Sequence, residues 1–273
     1  MINCNSPYEQ AIFAGNPAGA LYLFAYGANR WYFRKTIYVY PILPAVKKTA
    51  RRSRLMMSRR FVTVFMAIFM FANVALINAQ TAYLTTSVEE IAASLPARPI
   101  AIGLDVDDTV LFSSPGFQYA FSNTDGPDGT NKYGNRPLSN DQFWSDLSCQ
   151  FDKFSIPKES ARKIIELHRD RGDKIYFITA RPPVKGEILT SILHREFKLE
   201  NQPKAIFSGR ISKAEFIKKH GLAIYYGDSD SDISEAHDAG VRAIRFMRSP
   251  LSNNKGKYNP GKHGEIVLEN SEN

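Results

Sequence analysis

Pro99-Ile100-Ala101-Ile102-Gly103-Leu104-Asp105-Val106-Asp107-Asp108-Thr109-Val110 is the stretch that decides the fold. Its first half is an apolar run, which reads as a parallel strand buried on both faces. Its second half places three carboxylates within four residues. Asp105 and Asp107 are two apart, so at a strand end they can point to the same side. Carboxylates crowded there are costly unless a cation neutralises them. Mg²⁺ suits such a place, because it takes one or two carboxylates together with phosphate oxygens. A carboxylate beside the metal can attack phosphorus. A solvated acidic loop is the plainer alternative.

Two further apolar runs end in polar groups. Lys174-Ile175-Tyr176-Phe177-Ile178 leads into Thr179-Ala180-Arg181-Pro182, and Leu222-Ala223-Ile224-Tyr225-Tyr226 into Gly227-Asp228-Ser229-Asp230-Ser231-Asp232. Ligands of open α/β sheets bind at the carboxyl ends of the strands, so these groups would converge on one edge. Taken in order, Asp105, Thr179, Lys213 and Asp228/Asp232 resemble the four-part signature of the haloacid dehalogenase superfamily of phosphohydrolases. Three segments narrow the resemblance to the class B bacterial nonspecific acid phosphatases: Asp105 through Phe117, Phe154-Ser155-Ile156-Pro157-Lys158-Glu159, and Tyr226-Gly227-Asp228-Ser229-Asp230. The similarity runs from about Ser87 to the C-terminus. Ala180 departs from the family's Thr-Gly-Arg pattern, and the segment 122–140 is longer and looser than the family's.

The resemblance implies an α/β fold: a doubly wound, Rossmann-like parallel sheet with a small cap or insert after the first core strand. It implies a Mg²⁺-dependent acid phosphatase. Asp105 would attack phosphorus to form an aspartyl-phosphate. Asp107 would protonate the leaving oxygen and then activate water, a role that neighbouring negative charge would favour. Mg²⁺ would be held by Asp105, the backbone carbonyl of Asp107, and Asp228. Thr179, with the Ala180 and Arg181 that follow it, and Lys213 would bind the phosphate, and Asp232 would orient Lys213 or a metal-bound water. Phe117, Trp144 and Tyr258 are candidates to stack on an aromatic or nucleoside leaving group, Phe117 and Trp144 as a sandwich. Substrates would be small phosphomonoesters, nucleoside monophosphates included, and the resemblance implies a homotetramer. A phosphotransferase using the same intermediate and a noncatalytic phosphate-binding surface protein are the alternatives.

The net charge of +8 suggests nucleic acid or anionic membrane as a partner, but its distribution removes that suggestion. Ten of the 35 Lys and Arg, and only one of the 27 Asp and Glu, precede residue 83, so the remainder holds 25 basic and 26 acidic groups. No nucleic acid polymer is expected as a partner. Met57-Ser58-Arg59-Arg60, the apolar 61–77 and Ile77-Asn78-Ala79 have the form of a secretory signal peptide over 57–79, with cleavage before Gln80. An uncleaved anchor is the alternative, although seventeen residues are near the lower limit for a span. Residues 1–56 fit neither; the simplest reading is a non-native upstream extension, with the true start at Met56 or Met57. A mature periplasmic chain with no membrane attachment is then expected. Its one cysteine, Cys149, would serve a structural role, and no internal disulfide would form.

The remainder, 80–273, alternates strand and helix signals, which predicts one parallel α/β domain. Strands are expected near 100–105, 174–178, 205–207, 222–226 and 242–246, with an edge strand at 265–268. Helices are expected over 87–95, 158–171, 184–197, 212–220 and 231–239. The connection from about 112 to 157 is long. It stands where this superfamily inserts a cap, and its aromatics would form a substrate lid.

Overall fold

The computed structural model describes residues 83–273 throughout and, upstream, the backbone of three strands. These are β1 (Ile12–Gly15), β2 (Leu21–Gly27) and β3 (Arg30–Thr36), which form a sheet of their own in that order. The expected signal segment and the cleavage point before Gln80 lie outside the described residues.

From Thr85 the chain gives β4 (Thr85–Thr86), helix α1 (Val88–Ser94), β5 (Ala101–Leu104), β6 (Leu111–Phe112), α2 (Ser114–Phe121), α3 (Asp141–Cys149) and β7 (Ile156–Pro157). There follow α4 (Glu159–Asp170), β8 (Lys174–Thr179), α5 (Leu189–Glu196), β9 (Ile206–Phe207) and α6 (Lys213–Lys219). The last elements are β10 (Ile224–Gly227), α7 (Asp230–Asp238), β11 (Arg242–Arg245) and β12 (Ile266–Leu268). Seven strands make one parallel sheet in the order β4-β12-β11-β10-β5-β8-β9. This is the doubly wound α/β architecture expected. One expectation is corrected: β12 is interior, because β4, too short to read from sequence, pairs on its outer side and takes the edge.

Alternation along the strands explains why their sequences look continuously apolar. Ile102, Leu104, Ile175, Phe177, Ile224, Tyr226 and Ile244 face one side, against Ile91 of α1, Ile164 and Ile165 of α4, and Leu193 of α5. Tyr176, Ile178, Tyr225 and Ala243 face the other, against Ile217 of α6 and Ile233 and Ala236 of α7. Both faces are buried, so neither can be polar. A buried polar link also ties helix to sheet: His168 of α4 has Nδ1 2.7 Å from Asp173 and Nε2 2.8 Å from the Tyr226 hydroxyl.

The chain passes from β5 outward to β8 and β9, then returns to place β10 on the opposite side of β5. The crevice where the winding reverses lies at the carboxyl ends of β5 and β10, where such sheets bind ligands. The long connection is not structureless. It holds α2, α3 and the β6–β7 hairpin, and its aromatics Phe143, Phe151, Phe154 and Tyr133 form a separate buried cluster with Leu147. The turn-rich composition concealed α2, which begins with Pro115 in its first turn. Among the described residues no helix is long and apolar enough to cross a membrane.

His168 yields a test. Burial holds its pKa below the ordinary histidine value despite Asp173, so it stays neutral when folded. The unfolded chain takes up that proton as pH falls below about 6.5, which removes stability from the wild type in that range. Asp173 is held low, burial being outweighed by its hydrogen bonds from His168, the Ile100 amide and Arg171, so it titrates only at lower pH. His168→Gln should melt lower than wild type at pH 7.5, by about 1–3 kcal/mol of stability. The gap in Tm should narrow toward pH 5; a gap constant with pH would refute the assignment.

Candidate active site

Asp105 continues β5 by one residue, its amide donating to the Tyr226 carbonyl at 2.8 Å. The chain then folds back tightly. The Val110 and Leu111 amides both donate to the Val106 carbonyl at 2.9 Å, and Asp108 adopts a left-handed φ of 63°. The turn brings Asp107 back toward the end of β8. Buried Lys158 staples it, donating to the Asp108 carbonyl at 2.8 Å and the Met247 carbonyl at 2.7 Å. Burial lowers the Lys158 pKa to about 8.

Asp228 follows β10 and faces Asp105 across the crevice. The buried Thr109 hydroxyl lies 3.2 Å from an oxygen of each. Gly227 is required where it stands, since a Cβ there would collide with the side chain of Asp232. Asp232 comes that close because Ser229 and Asp232 form a capping box that starts α7. One oxygen of Asp232 serves the cap; the other accepts from Lys213 at 2.7 Å. Asp232 is thus both a helix-terminal acid and a partner of Lys213. Lys213 opens α6 behind the Ser212 cap and also donates to Asp105, at 2.5 Å. Its pKa is held well above the ordinary lysine value, burial being outweighed by Asp105 and Asp232.

Thr179 and Arg181 follow β8. Thr179 is buried behind Asp107, its hydroxyl 3.5 Å away. Arg181 is 2% exposed. Its Nε and Nη2 grip Asp107 at 2.9 and 2.6 Å, while Nη1 takes both oxygens of Asp152 at 2.8 and 2.7 Å. The guanidinium is therefore spent on carboxylates rather than held open for phosphate. It also reverses the electrostatics expected at Asp107: burial raises that pKa, but Arg181 outweighs burial and holds it below the ordinary value. Ala180 contributes to the wall of the cavity over the strand ends.

Two groups escaped the sequence reading. Arg248, beyond β11, donates through Nε to Asp228 and through Nη1 to the Gly256 carbonyl at 2.8 Å. Asp152 sits in the insert, where no motif marked it. Asp108 accepts from Ser252, and Asp230 is occupied by Arg245, Asn259 and Lys262, as befits structural acids.

The cavity measures about 1230 Å³. One wall is apolar, formed by Phe117, Phe121, Leu138, Trp144 and Ile211; Leu138 and Ile211 are 54% and 51% exposed there. Phe117 and Trp144 meet edge to face, 83° apart with centroids at 6.1 Å, so they form one wall and not the two leaves of a sandwich. Tyr258 is not part of that wall. It packs under Arg248, 4.8 Å from ring centroid to guanidinium, and its hydroxyl accepts the Arg248 amide.

The donor set suits a hard divalent cation. Asp105, Asp228 and Asp232 each offer an oxygen within 4.8 Å of the others. Burial, then Asp232, raises Asp105 well above the carboxylate range and Asp228 to about 6. Asp105, Asp107, Asp108, Asp152, Asp228 and Asp232 are six carboxylates met by four buried cations, Lys158, Arg181, Lys213 and Arg248. Two negative charges remain among these described groups, the charge of one Mg²⁺.

With this geometry in place, comparison with known proteins is informative. The model of the acid phosphatases of haloacid dehalogenase subfamily IIIB matches residues 62–255. A class B acid phosphatase of Edwardsiella ictaluri (strain 93-146) is 45% identical over 194 residues, 68% of this chain and 78% of that one. One from Salmonella typhi is 41% identical over 207 residues, 73% and 85% of the two chains. A haloacid dehalogenase-like hydrolase structure from Streptococcus pneumoniae aligns at a TM-score of 0.40 and 16% identity, over 63% of this chain and 94% of that one.

The charge balance predicts the behaviour of Lys213→Met. Loss of the ammonium leaves Asp105 and Asp232 unpaired, which should cost about 3–5 kcal/mol in metal-free protein. A more acidic site should hold a divalent cation more tightly. Millimolar Mg²⁺ should therefore raise the Tm of Lys213→Met by more than that of the wild type, measured by scanning calorimetry with and without chelator. An equal rise in both proteins would contradict the charge balance.

Proposed function

The chain belongs to the acid phosphatases of haloacid dehalogenase subfamily IIIB and is a phosphoric monoester hydrolase; from that premise we propose that it is an exported, Mg²⁺-dependent enzyme of broad specificity working through an aspartyl-phosphate. The observation that carries the reading is the pair Asp105 and Asp107, one beside Lys213 and the facing Asp228, the other on the Arg181 fork. Two carboxylates two residues apart thus sit in opposite electrostatic settings, which is how a site separates a nucleophile from a proton carrier.

The steps follow from those settings. An oxygen of Asp105 attacks phosphorus while the bond from phosphorus to the ester oxygen breaks, and that oxygen takes a proton from Asp107. Asp107, now a carboxylate, removes a proton from water. The water oxygen attacks phosphorus, the bond to Asp105 breaks, and phosphate leaves. Arg181 favours Asp107 as a carboxylate, the form that activates water; the protonated form needed first is favoured by acid solution. Lys213 offsets the negative charge that collects as phosphate approaches Asp105, and the Thr179 hydroxyl and amide would bind a phosphate oxygen. Mg²⁺, held by Asp105, Asp228 and the Asp107 carbonyl, would neutralise charge in the transition state.

The apolar wall suits a leaving group with a flat, apolar face, nucleosides among them, packed on Trp144 and Phe117 without being sandwiched. Base–aromatic stacking is worth about 1–3 kcal/mol. The wall does not demand it, which fits broad specificity toward small phosphomonoesters. Export through the segment 57–79 and a mature periplasmic chain beginning near Gln80 follow from the sequence reading; N-terminal sequencing of secreted protein tests this, and a mature form retaining residues 1–56 would overturn it. The homotetramer rests on the family resemblance alone, and sedimentation of the mature protein tests it, a monomer overturning it.

The central assay is phosphate release from a nucleoside monophosphate and a sugar phosphate, with and without chelator. Chelator should abolish both activities and Mg²⁺ restore them. Asp105→Asn should fold and lose turnover by at least about a thousandfold, because an amide neither attacks phosphorus nor binds the metal well. Activity within tenfold of wild type would end the mechanism. Trp144→Ala should raise KM for the nucleotide about tenfold and leave that for the sugar phosphate nearly unchanged; equal losses on both would remove the wall from substrate binding.

A further inference from the structure

Asp152 lies between α3 and β7, in a short 3₁₀ turn over Phe151–Phe154 within the insert. It is fully buried, and both its oxygens are taken by Nη1 of Arg181. Burial raises its pKa to about 6, so the pairing with Arg181 is what keeps a charge there. The turn is fixed by the Ser155 amide donating to the Asp152 carbonyl at 3.0 Å and by Tyr119, which packs on both Phe151 and Phe154.

A guanidinium is planar, with its donors in a rigid fork. Fixing Nη1 at one end therefore fixes the direction of Nε and Nη2 at the other. Those two nitrogens hold both oxygens of Asp107, so the plane of the Asp107 carboxyl is set by where Asp152 holds Arg181. The Phe117 ring, 5.3 Å from the guanidinium carbon, covers the group and removes another freedom. Arg181 held only by Asp107 could swing with it. Anchored at both ends, it is a strut between the insert and the proton carrier.

We propose that Asp152 is a positioning residue: acting through Arg181, it holds the Asp107 carboxyl at the angle from which protons pass to the leaving oxygen and from water. This rests on the reading of Asp107 as proton carrier given above. It gives the insert a part in the chemistry beyond covering the substrate.

The test is a double-mutant cycle on the mature chain with Mg²⁺. It reads kcat/KM for an alkyl phosphate, whose leaving oxygen needs a proton, divided by that for 4-nitrophenyl phosphate, whose leaving group does not. Asp107→Asn should collapse this ratio, and Asp152→Asn should lower it about tenfold. In Asp107→Asn, adding Asp152→Asn should leave the ratio where it was, because the proton carrier it positions is gone. A merely structural Asp152 would cost both substrates alike, and an unchanged ratio in Asp152→Asn overturns the proposal. So does a further tenfold fall of the ratio in the double variant. If Asp107→Asn itself leaves the ratio intact, the reading of Asp107 fails and takes the role of Asp152 with it. Should Asp152→Asn not fold, Arg181→Lys asks the same question: a single ammonium cannot span both carboxylates in one plane, so the ratio should again fall about tenfold, and an unchanged ratio overturns the proposal.

Discussion

Uncompensated negative charge is the constraint on which this site depends. Six carboxylates gathered at the ends of two apolar strands could not stay ionised without cations, and the chain spends four buried basic side chains on them. Each comes from a different connection: Lys158 before α4, Arg181 after β8, Lys213 at the start of α6, Arg248 after β11. The loops of the crevice are held together less by apolar contact than by this pairing. Burying charge is expensive, and a buried pair gives little net stability against a well-packed apolar substitute. What the pairing supplies is placement: each carboxylate has one neighbour that fixes its direction.

The parallel sheet makes such placement possible. Strands β5, β8 and β10 lie side by side, so their ends supply Asp105, Thr179 and Asp228 at spacings set by backbone hydrogen bonds. Helix starts add precision. Ser212 and Ser229 cap α6 and α7, and each cap brings a charged side chain, Lys213 or Asp232, to the crevice. Gly227 keeps the last of these close to the strand end by having no side chain of its own.

Much of this was legible in the sequence. The alternation of apolar runs with capped helical segments revealed the order of elements, because both faces of each inner strand must be apolar. The DxDxT and GDxDxD segments revealed the acidic cluster, because few folds would otherwise tolerate such acids after buried strands. Asp152 and Arg248 were not legible, since their partners stand 29 and 20 residues away and neither falls on a periodic face or in a motif. The task of Arg181 was misread for a related reason. A sequence shows an arginine beside a site but not which anion it faces, and here two carboxylates reach it first. The edge position of β12 was misjudged because β4 is only two residues long.

The staple at Lys158 joins carbonyls of Asp108 and Met247, segments separated by nearly the whole sheet along the chain. Groups so distant in sequence meet only after the intervening chain has closed, and closing long loops is slow. The acidic turn after β5 thus leaves the ribosome long before its counter-charges do. Until β11 is laid down, that turn remains hydrated and open, its carboxylates facing water instead of one another. The crevice is among the last parts of the molecule to exist, and a chain stalled halfway through folding carries the nucleophile without the machinery that would let it act.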